Sequence, residues 1–485
     1  MEIASPLQAT VVEISVVAGQ LVRGGEQLVV LESMKMEHVV AAPEPGTVSR
    51  IAVGVGETVM SGALLLVIAP RDDDAARDAF EAGLVAQSDE PKVREDLAEV
   101  RARHEMVLDH RRPEAVGRRR AAGRRTAREN VADLVDEGSF VEYSPLVVAA
   151  QRRRRSIEEL LARTPADGLV GGVGTVAGRR VVAMSYDYTV LAGTQGFWNH
   201  HKKDRLFELA ERQELPVVFF TEGGGGRPGD TDGAGVAYLD CLAFLYFARL
   251  SGLVPLVGIA SGYCFAGNAA ILGCCDVVIA TEGSNIGMGG PAMIEGGGLG
   301  VFEPGEIGPT DVQVSNGVVD VVVADDVEAV AVAKRYLSYF QGSVDDWECL
   351  DQRLLQDLVP ENRLRAYDVR RVIDVLCDVE SVLELRRGWG DSMITSLARI
   401  AGRAIGVVAN DPSHLGGAID VDAADKAARF MQLCDAFDLP LLFLCDTPGF
   451  MVGPDHERRA AVRHVSRMFV TGANITVPFG TVVLR

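Results

Sequence analysis

The chain has 485 residues, which at about 150 per domain leaves room for roughly three domains with sizeable cores. Its 48% hydrophobic and 24% charged residues exclude a disordered chain. With 48 basic and 68 acidic side chains the formal charge is −20, so no nucleic-acid partner is expected.

The N-terminus reads Met1-Glu2-Ile3-Ala4-Ser5-Pro6, without the basic and apolar runs of a secretory signal. Residues 5–30 and 42–67 then align without a gap at an offset of 37. Val11 matches Val48, Gly19 Gly56, Val22 Val59, Gly25 Gly62 and Leu28 Leu65. Each copy alternates apolar and polar residues in short runs punctuated by glycine, which predicts a small quasi-twofold β-sandwich over 1–70. Between the copies lies Glu32-Ser33-Met34-Lys35-Met36-Glu37, placing Lys35 at the hairpin that joins them. A lone amine on an exposed, rigid tip suits a covalently attached swinging cofactor. Lys35 between Met34 and Met36 resembles the signature of the biotinyl (biotin carboxyl carrier) domain, whereas the related lipoyl domain usually lacks the methionine flanks. The resemblance implies biotin carried on Lys35, with Met34 and Met36 as flanks read by a biotin–protein ligase.

Residues 71–91 are rich in Asp, Ala and Glu and lack apolar periodicity, which predicts a mobile linker. Such a tether would hold a carrier near its target at high effective concentration. From 92 to 137 the pattern is helical and strongly charged, with eight arginines between Arg111 and Arg128 and a second run over 152–155. These suit either the phosphates of a nucleotide-like ligand or a solvated helix or subunit contact, and the second reading is favoured.

A second repeat has an offset of 224: Val181 matches Ile405, Gly193 matches Gly417, and Leu215-Pro216 matches Leu439-Pro440. Each copy runs strand, polar loop, helix, apolar strand, glycine loop, which predicts a duplicated α/β fold with halves over 92–345 and 346–485. Residues 250–275 carry no charge. Pro255, Asn268 and five glycines break the segment, so a strand, a glycine-rich turn and a short core helix are expected there, with no membrane span. The turn Ser261-Gly262-Tyr263-Cys264-Phe265-Ala266-Gly267-Asn268 would leave backbone N–H groups facing an open site, able to hold a thioester oxyanion. The glycine-rich run 283–300 suits either a ligand channel or a tight core crossing.

Arg128-Glu129-Asn130 with Asp136-Glu137-Gly138-Ser139-Phe140, and Asp187-Tyr188-Thr189-Val190 with Gly193, are similar to motifs of the carboxyltransferase (β) subunits of biotin-dependent acyl-CoA carboxylases. So are Ala427-Ala428-Arg429-Phe430, Cys434-Asp435-Ala436-Phe437 and Asp446-Thr447-Pro448-Gly449-Phe450. The resemblance runs collinearly over 120–485. It implies a pair of crotonase-like halves, usually hexameric, and carboxyl transfer from carboxybiotin to the α-carbon of an acyl-CoA. By motif position the oxyanion donors fall on the backbone N–H groups of Gly267 and Asn268. Asn268 stands where the family usually has a second glycine, and its side chain is expected to narrow the site. Residues 222–228, Glu-Gly-Gly-Gly-Gly-Arg-Pro, also depart from the family pattern. The repeat places the second-half counterpart of Gly267 near position 490, beyond Arg485, so the second half is expected to be incomplete.

Other readings compete. A crotonase-type hydratase or thioesterase has no use for a biotinyl domain, whereas a biotin-dependent decarboxylase subunit or a biotinylated non-catalytic scaffold stays open. Glycines 172, 174 and 178 lack the order of a dinucleotide fingerprint, and no GK[ST] occurs. Eight cysteines without a CxxC pair point to a reducing cytoplasm and no metal site, and His200 and His201 are read as packing or solvent-facing. No ATP-using module is visible, so the resemblance implies a biotin carboxylase subunit in trans, together with the ligase, the acyl-CoA substrate and further copies of the chain. The order of carrier then carboxyltransferase suggests either the back portion of a longer single-chain carboxylase or a two-subunit system.

Overall fold

The computed structural model describes residues 1–70, 93–232 and 241–485, and the expected linker 71–91 lies outside them. It contains two compact units, Met1–Ala98 and Glu99–Arg485.

The first unit holds β1 (Glu2–Ala4), β2 (Ala9–Ile14), β3 (Leu21–Val22), β4 (Gln27–Ser33), β5 (Met36–Ala41), β6 (Gly46–Ile51), β7 (Thr58–Val59) and β8 (Leu64–Pro70). They form two four-stranded sheets, ordered β1-β8-β6-β3 and β5-β4-β2-β7. Moving 37 positions along the chain turns β2 into β6, β3 into β7 and β4 into β8, which maps one sheet order onto the other. Each sheet takes two strands from each copy, because neither copy can bury its apolar face alone. Repeat-related pairs meet in one core, among them Val11 with Val48 and Leu28 with Leu65. Each such aliphatic side chain contributes about 1.5–3 kcal/mol by leaving water.

In the second unit β9 (Val141–Glu142), β10 (Leu169–Val176), β11 (Arg179–Tyr186), β12 (Val217–Phe220), β13 (Leu256–Ala260), β15 (Val277–Thr281) and β17 (Val321–Val323) build one seven-stranded sheet. Its order is β17-β15-β13-β12-β11-β10-β9, antiparallel at the β9–β11 end and parallel from β11 onward. Short strands β14 (Tyr263–Phe265) and β16 (Asn285–Gly287) pair in parallel beside it. A second sheet, β18-β19-β20-β21-β22, is made of Leu383–Leu385, Met393–Ile400, Arg403–Asn410, Leu441–Cys445 and Phe479–Val483.

The duplication is visible in the strand register up to β12 and β21. Leu169 pairs with Tyr186 and Val182 with Val217; 224 positions on, Met393 pairs with Asn410 and Gly406 with Leu441. The two halves share one apolar core. In it, Tyr336 from helix Asp326–Ser338 and Ala427 and Phe430 from helix Val421–Ala436 pack with strand residues of both sheets, such as Ile259 and Leu397. Among the described residues no helix is long and apolar enough to cross a membrane. The uncharged stretch 250–275 instead forms β13, β14 and helix Gly267–Gly273.

The arginine-rich segment departs from expectation. Its side chains are largely consumed by partners within the chain and are not left as a solvated face. Arg112 bonds Asp187, Arg119 bonds Glu222, Arg124 bonds Ser261 and Thr281, and Arg128 bonds Glu142. Thr126 and Glu129 form a reciprocal capping box that starts helix Ala127–Leu134, and Val131 and Leu134 of that helix enter the shared core. The arginines therefore clamp this segment onto the first half.

Candidate active site

In the first unit β4 and β5 are joined by a two-residue turn. Ser33 pairs with Met36 across its base, leaving Met34 and Lys35 as the central residues with φ of 54° and 65°. Positive φ at both positions is the type I′ geometry normally filled by Asn-Gly, and each L-residue held there costs about 1–2 kcal/mol. The six-residue strand pairing below it supports that strain. Met34 is 96% exposed and Met36 65%, and Lys35 makes no hydrogen bond or ion pair among the described residues. The amine therefore stands free in water on a stiff hairpin.

In the second unit the segments that follow the neighbouring strands β12 and β13 lie side by side, and the edge they share is the candidate cleft. After β12 the chain enters the loop 221–232; after β13 it passes through β14 into helix Gly267–Gly273. Ala266 precedes that helix with φ 54° and ψ −123°, a conformation that turns the chain sharply into its first turn. The N–H groups of Gly267 and Asn268 find no acceptor among the described residues, as expected of the first N–H groups of a helix. Gly225, with φ of 86°, approaches so closely that a Cβ there would lie 2.6 Å from the Ala266 Cβ and 3.5 Å from the Gly267 nitrogen. The glycine run 223–226 thus lets one loop lie against the start of the helix.

The Asn268 side chain does not narrow this cleft. It is fully buried and turned away, with Nδ2 donating to the carbonyls of Gly193 and Thr221 at 3.3 and 3.1 Å. Its Oδ1 accepts from the Gly225 N–H at 3.0 Å and from Gln195 Nε2 at 2.9 Å. The amide spends its full hydrogen-bonding capacity inside the protein. Glu222, beside the cleft, is buried against Arg119; burial pushes its carboxyl up, and the guanidinium opposes that shift. Tyr188 and Tyr263 stand close to it, and burial raises the Tyr188 phenol.

Two buried cations escaped the motif reading. Lys202 donates to the Leu169 carbonyl at 2.5 Å, and Lys203 donates to Tyr186 OH at 3.0 Å and to Gln195 Oε1 at 2.6 Å. Burial lowers them to about 8 and about 7 respectively. The available signal was scarcity, since the chain has six lysines and two of them are adjacent here. His200 is half-buried with Nδ1 3.3 Å from Cys241 Sγ, and burial lowers it to about 2, so it is neutral.

The 283–300 run is not a core crossing along its whole length. Gly287 and Gly290 pack on the Phe265 ring, but Met288, Leu299 and Val301 are each more than 70% exposed. In the second half Gly417 lies against the Asp446 carbonyl as Gly193 lies against that of Glu222, so the loop after β21 repeats the loop after β12.

The carboxyl transferase domain family matches residues 118–485, and the biotin-requiring enzyme domain matches 1–68. The methylmalonyl-CoA carboxyltransferase 12S subunit of Propionibacterium freudenreichii subsp. shermanii is 34% identical over 403 residues, 81% of this chain and 75% of the relative. The propionyl-CoA carboxylase beta chain of Saccharopolyspora erythraea is 32% identical, with 80% and 74% covered. Among solved structures, a single-chain, multi-domain long-chain acyl-CoA carboxylase matches with a TM-score of 0.79 and 54% identity over 100% of this chain. The chain spans about half of that protein, 48% of its length. The transcarboxylase 12S hexamer with hydrolysed methylmalonyl-CoA matches with a TM-score of 0.70 and 32% identity, with 80% and 76% covered.

Proposed function

Because the chain belongs to the carboxyl transferase family and carries a biotin-requiring domain in front of it, we propose that it transfers a carboxyl group from biotin on Lys35 to the α-carbon of an acyl-CoA. The observation that carries this reading is the free amine of Lys35, raised on a strained but well-paired hairpin between two exposed methionines. An exposed lysine with no bonded partner among the described residues fits an amide link to a carboxylate-bearing cofactor, and no ion pair would be broken. When bound, biotin supplies an activated carboxyl group from its ureido ring.

The second unit would supply the acceptor. The N–H groups of Gly267 and Asn268 would hold the thioester oxygen and strengthen as negative charge moves onto it from the α-carbon. Backbone donors suit this task because the start of the helix fixes their direction. Gly225 and its neighbours would border the same oxygen from the opposite loop. The apolar surface at Met288, Leu299 and Val301 supports association with further copies of the chain. A biotin carboxylase, in trans or in the same polypeptide, a biotin–protein ligase and a cytoplasmic setting complete the proposal.

Intact mass after co-expression with a biotin–protein ligase tests it, with Lys35→Ala as the control. A biotin-sized increment on the wild type alone is expected. No increment on either chain would leave an acyl-CoA-binding α/β protein as the better reading.

A further inference from the structure

Lys203 is fully buried, and no carboxylate lies within salt-bridge distance of it among the described residues; its ammonium is held by two neutral oxygens. Burying a cation in this way is costly, so stability alone does not explain it. The internal repeat separates it from its neighbour. Lys202 matches Lys426, which is likewise buried and bonded to backbone carbonyls, here of Arg386 and Trp389. Lys203 matches Ala427, Gln195 matches Ile419 and Tyr186 matches Asn410, so the second half has nothing equivalent. The arrangement belongs to the first-half cleft and not to the fold.

Its bonds run in one line. Tyr186 and Lys203 meet, Lys203 holds Gln195 Oε1, and Gln195 Nε2 holds Asn268 Oδ1. Asn268 in turn grips Gly225 and the carbonyls of Gly193 and Thr221. The Gln195 backbone closes the arrangement, donating to the Gly225 carbonyl at 2.7 Å and accepting from the Arg227 N–H at 2.9 Å. Four residues, each at most 3% exposed, thus connect the start of helix Gly267–Gly273 to the glycine loop facing it.

We propose that Lys203 and Gln195 are positioning residues that lock these two borders of the cleft together through Asn268, so that the Gly267 and Asn268 N–H groups stay aimed at the thioester oxygen. The inference rests on the proposed function of that cleft. Lys203 fixes which way the Gln195 amide faces: with the ammonium on Oε1, Nε2 must point at Asn268. Asn268 itself is held by the Gly225 N–H and the two carbonyls. Without Lys203 the Gln195 amide loses the donor that orients its Oε1, its bond to Asn268 is no longer enforced, and the two borders lose that side-chain link.

The test compares propionyl-CoA with its thioether analogue S-propyl-CoA, which lacks the carbonyl, by calorimetry on the full chain. Wild type is expected to bind the thioester about tenfold tighter, the worth of one well-aligned hydrogen bond to a carbonyl. Lys203→Met and Gln195→Glu are expected to erase that difference while leaving thioether affinity unchanged. Gln195→Glu keeps an oxygen for Lys203 and so preserves the buried cation's partner. A general loss of structure would instead weaken both ligands equally. Retention of the tenfold difference in both variants would overturn the proposal. Hydrogen exchange on the wild type gives an independent reading: segments 222–227 and 264–270 are expected to open together, and independent opening would overturn the proposal whatever the variants do. Failure of the wild type to bind either ligand would overturn the assignment of the cleft itself, which is a different result from uncoupled exchange.

Discussion

Arg119 and Glu222, 103 positions apart, form a two-pronged ion pair at the edge of the first-half cleft, with Nη1 donating to Oε1 at 2.9 Å. Arg119 also reaches the Arg125 carbonyl at 2.9 Å, so one guanidinium joins the arginine-rich segment to the loop after β12. Glu222 in turn fills the space that a side chain at Gly262 would occupy.

Removing one partner strands the other charge in a buried place. Arg119→Ala or Glu222→Ala is expected to lower the free energy of unfolding by about 3–5 kcal/mol, measured by urea denaturation. Arg119→Met with Glu222→Leu is expected to lose much less, because no charge is left unpaired. A double variant as unstable as the single ones would show that shape, and not charge, sets the cost.

Burial lowers Lys203 to about 7 from 10.5, so the folded chain binds less proton than the unfolded chain between those values. Stability is therefore expected to rise with pH from about 7 to 10 at this site, and Lys203→Met is expected to flatten that part of the curve. Asp276 has the opposite slope. Burial raises it to about 7, so the folded state binds more proton and stability falls as pH rises from about 4 to 7. Asp276→Asn is expected to remove that fall. Thermal melts of both variants across pH 4–10 check the two signs, and a wild-type slope unchanged by either substitution would refute its assignment.

The Met34 and Lys35 turn carries strain that glycine would relieve. Met34→Gly is expected to stabilise the β4–β5 hairpin by about 0.5–1 kcal/mol, read as slower amide exchange in those strands. The same variant should be a poorer substrate for a biotin–protein ligase if the methionine flank is read, which intact mass reports directly.

At Gly223 a Cβ would overlap the Gly193 carbonyl oxygen and the Asn268 Nδ2. Gly223→Ala is expected to cost about 1–3 kcal/mol by overpacking and to weaken propionyl-CoA binding, because it forces apart the loops that Asn268 joins. Gly226, with nothing within 4 Å of a Cβ, is the control: Gly226→Ala is expected to leave stability unchanged.

The sequence by itself determined the two duplications, the strand-rich carrier fold and the position of Lys35. Those features are local or periodic: alternation marks strands, and the gapless offset of 37 and the offset of 224 survive as matching pairs such as Val22 with Val59 and Leu215 with Leu439. The Asn268 departure was equally visible as a residue, but its consequence was not, since only the packed loops show the amide turning inward to Gly193, Thr221 and Gln195. The same holds for the arginines, whose partners Asp187, Glu222, Ser261 and Thr281 lie 75 to 157 positions away. Lys203 was legible only as one of six lysines. Tertiary structure decided its role, because a buried charge is defined by the groups that surround it, and no spacing rule brings Tyr186, Gln195 and Asn268 together until the sheet and its crossing helices have closed around them.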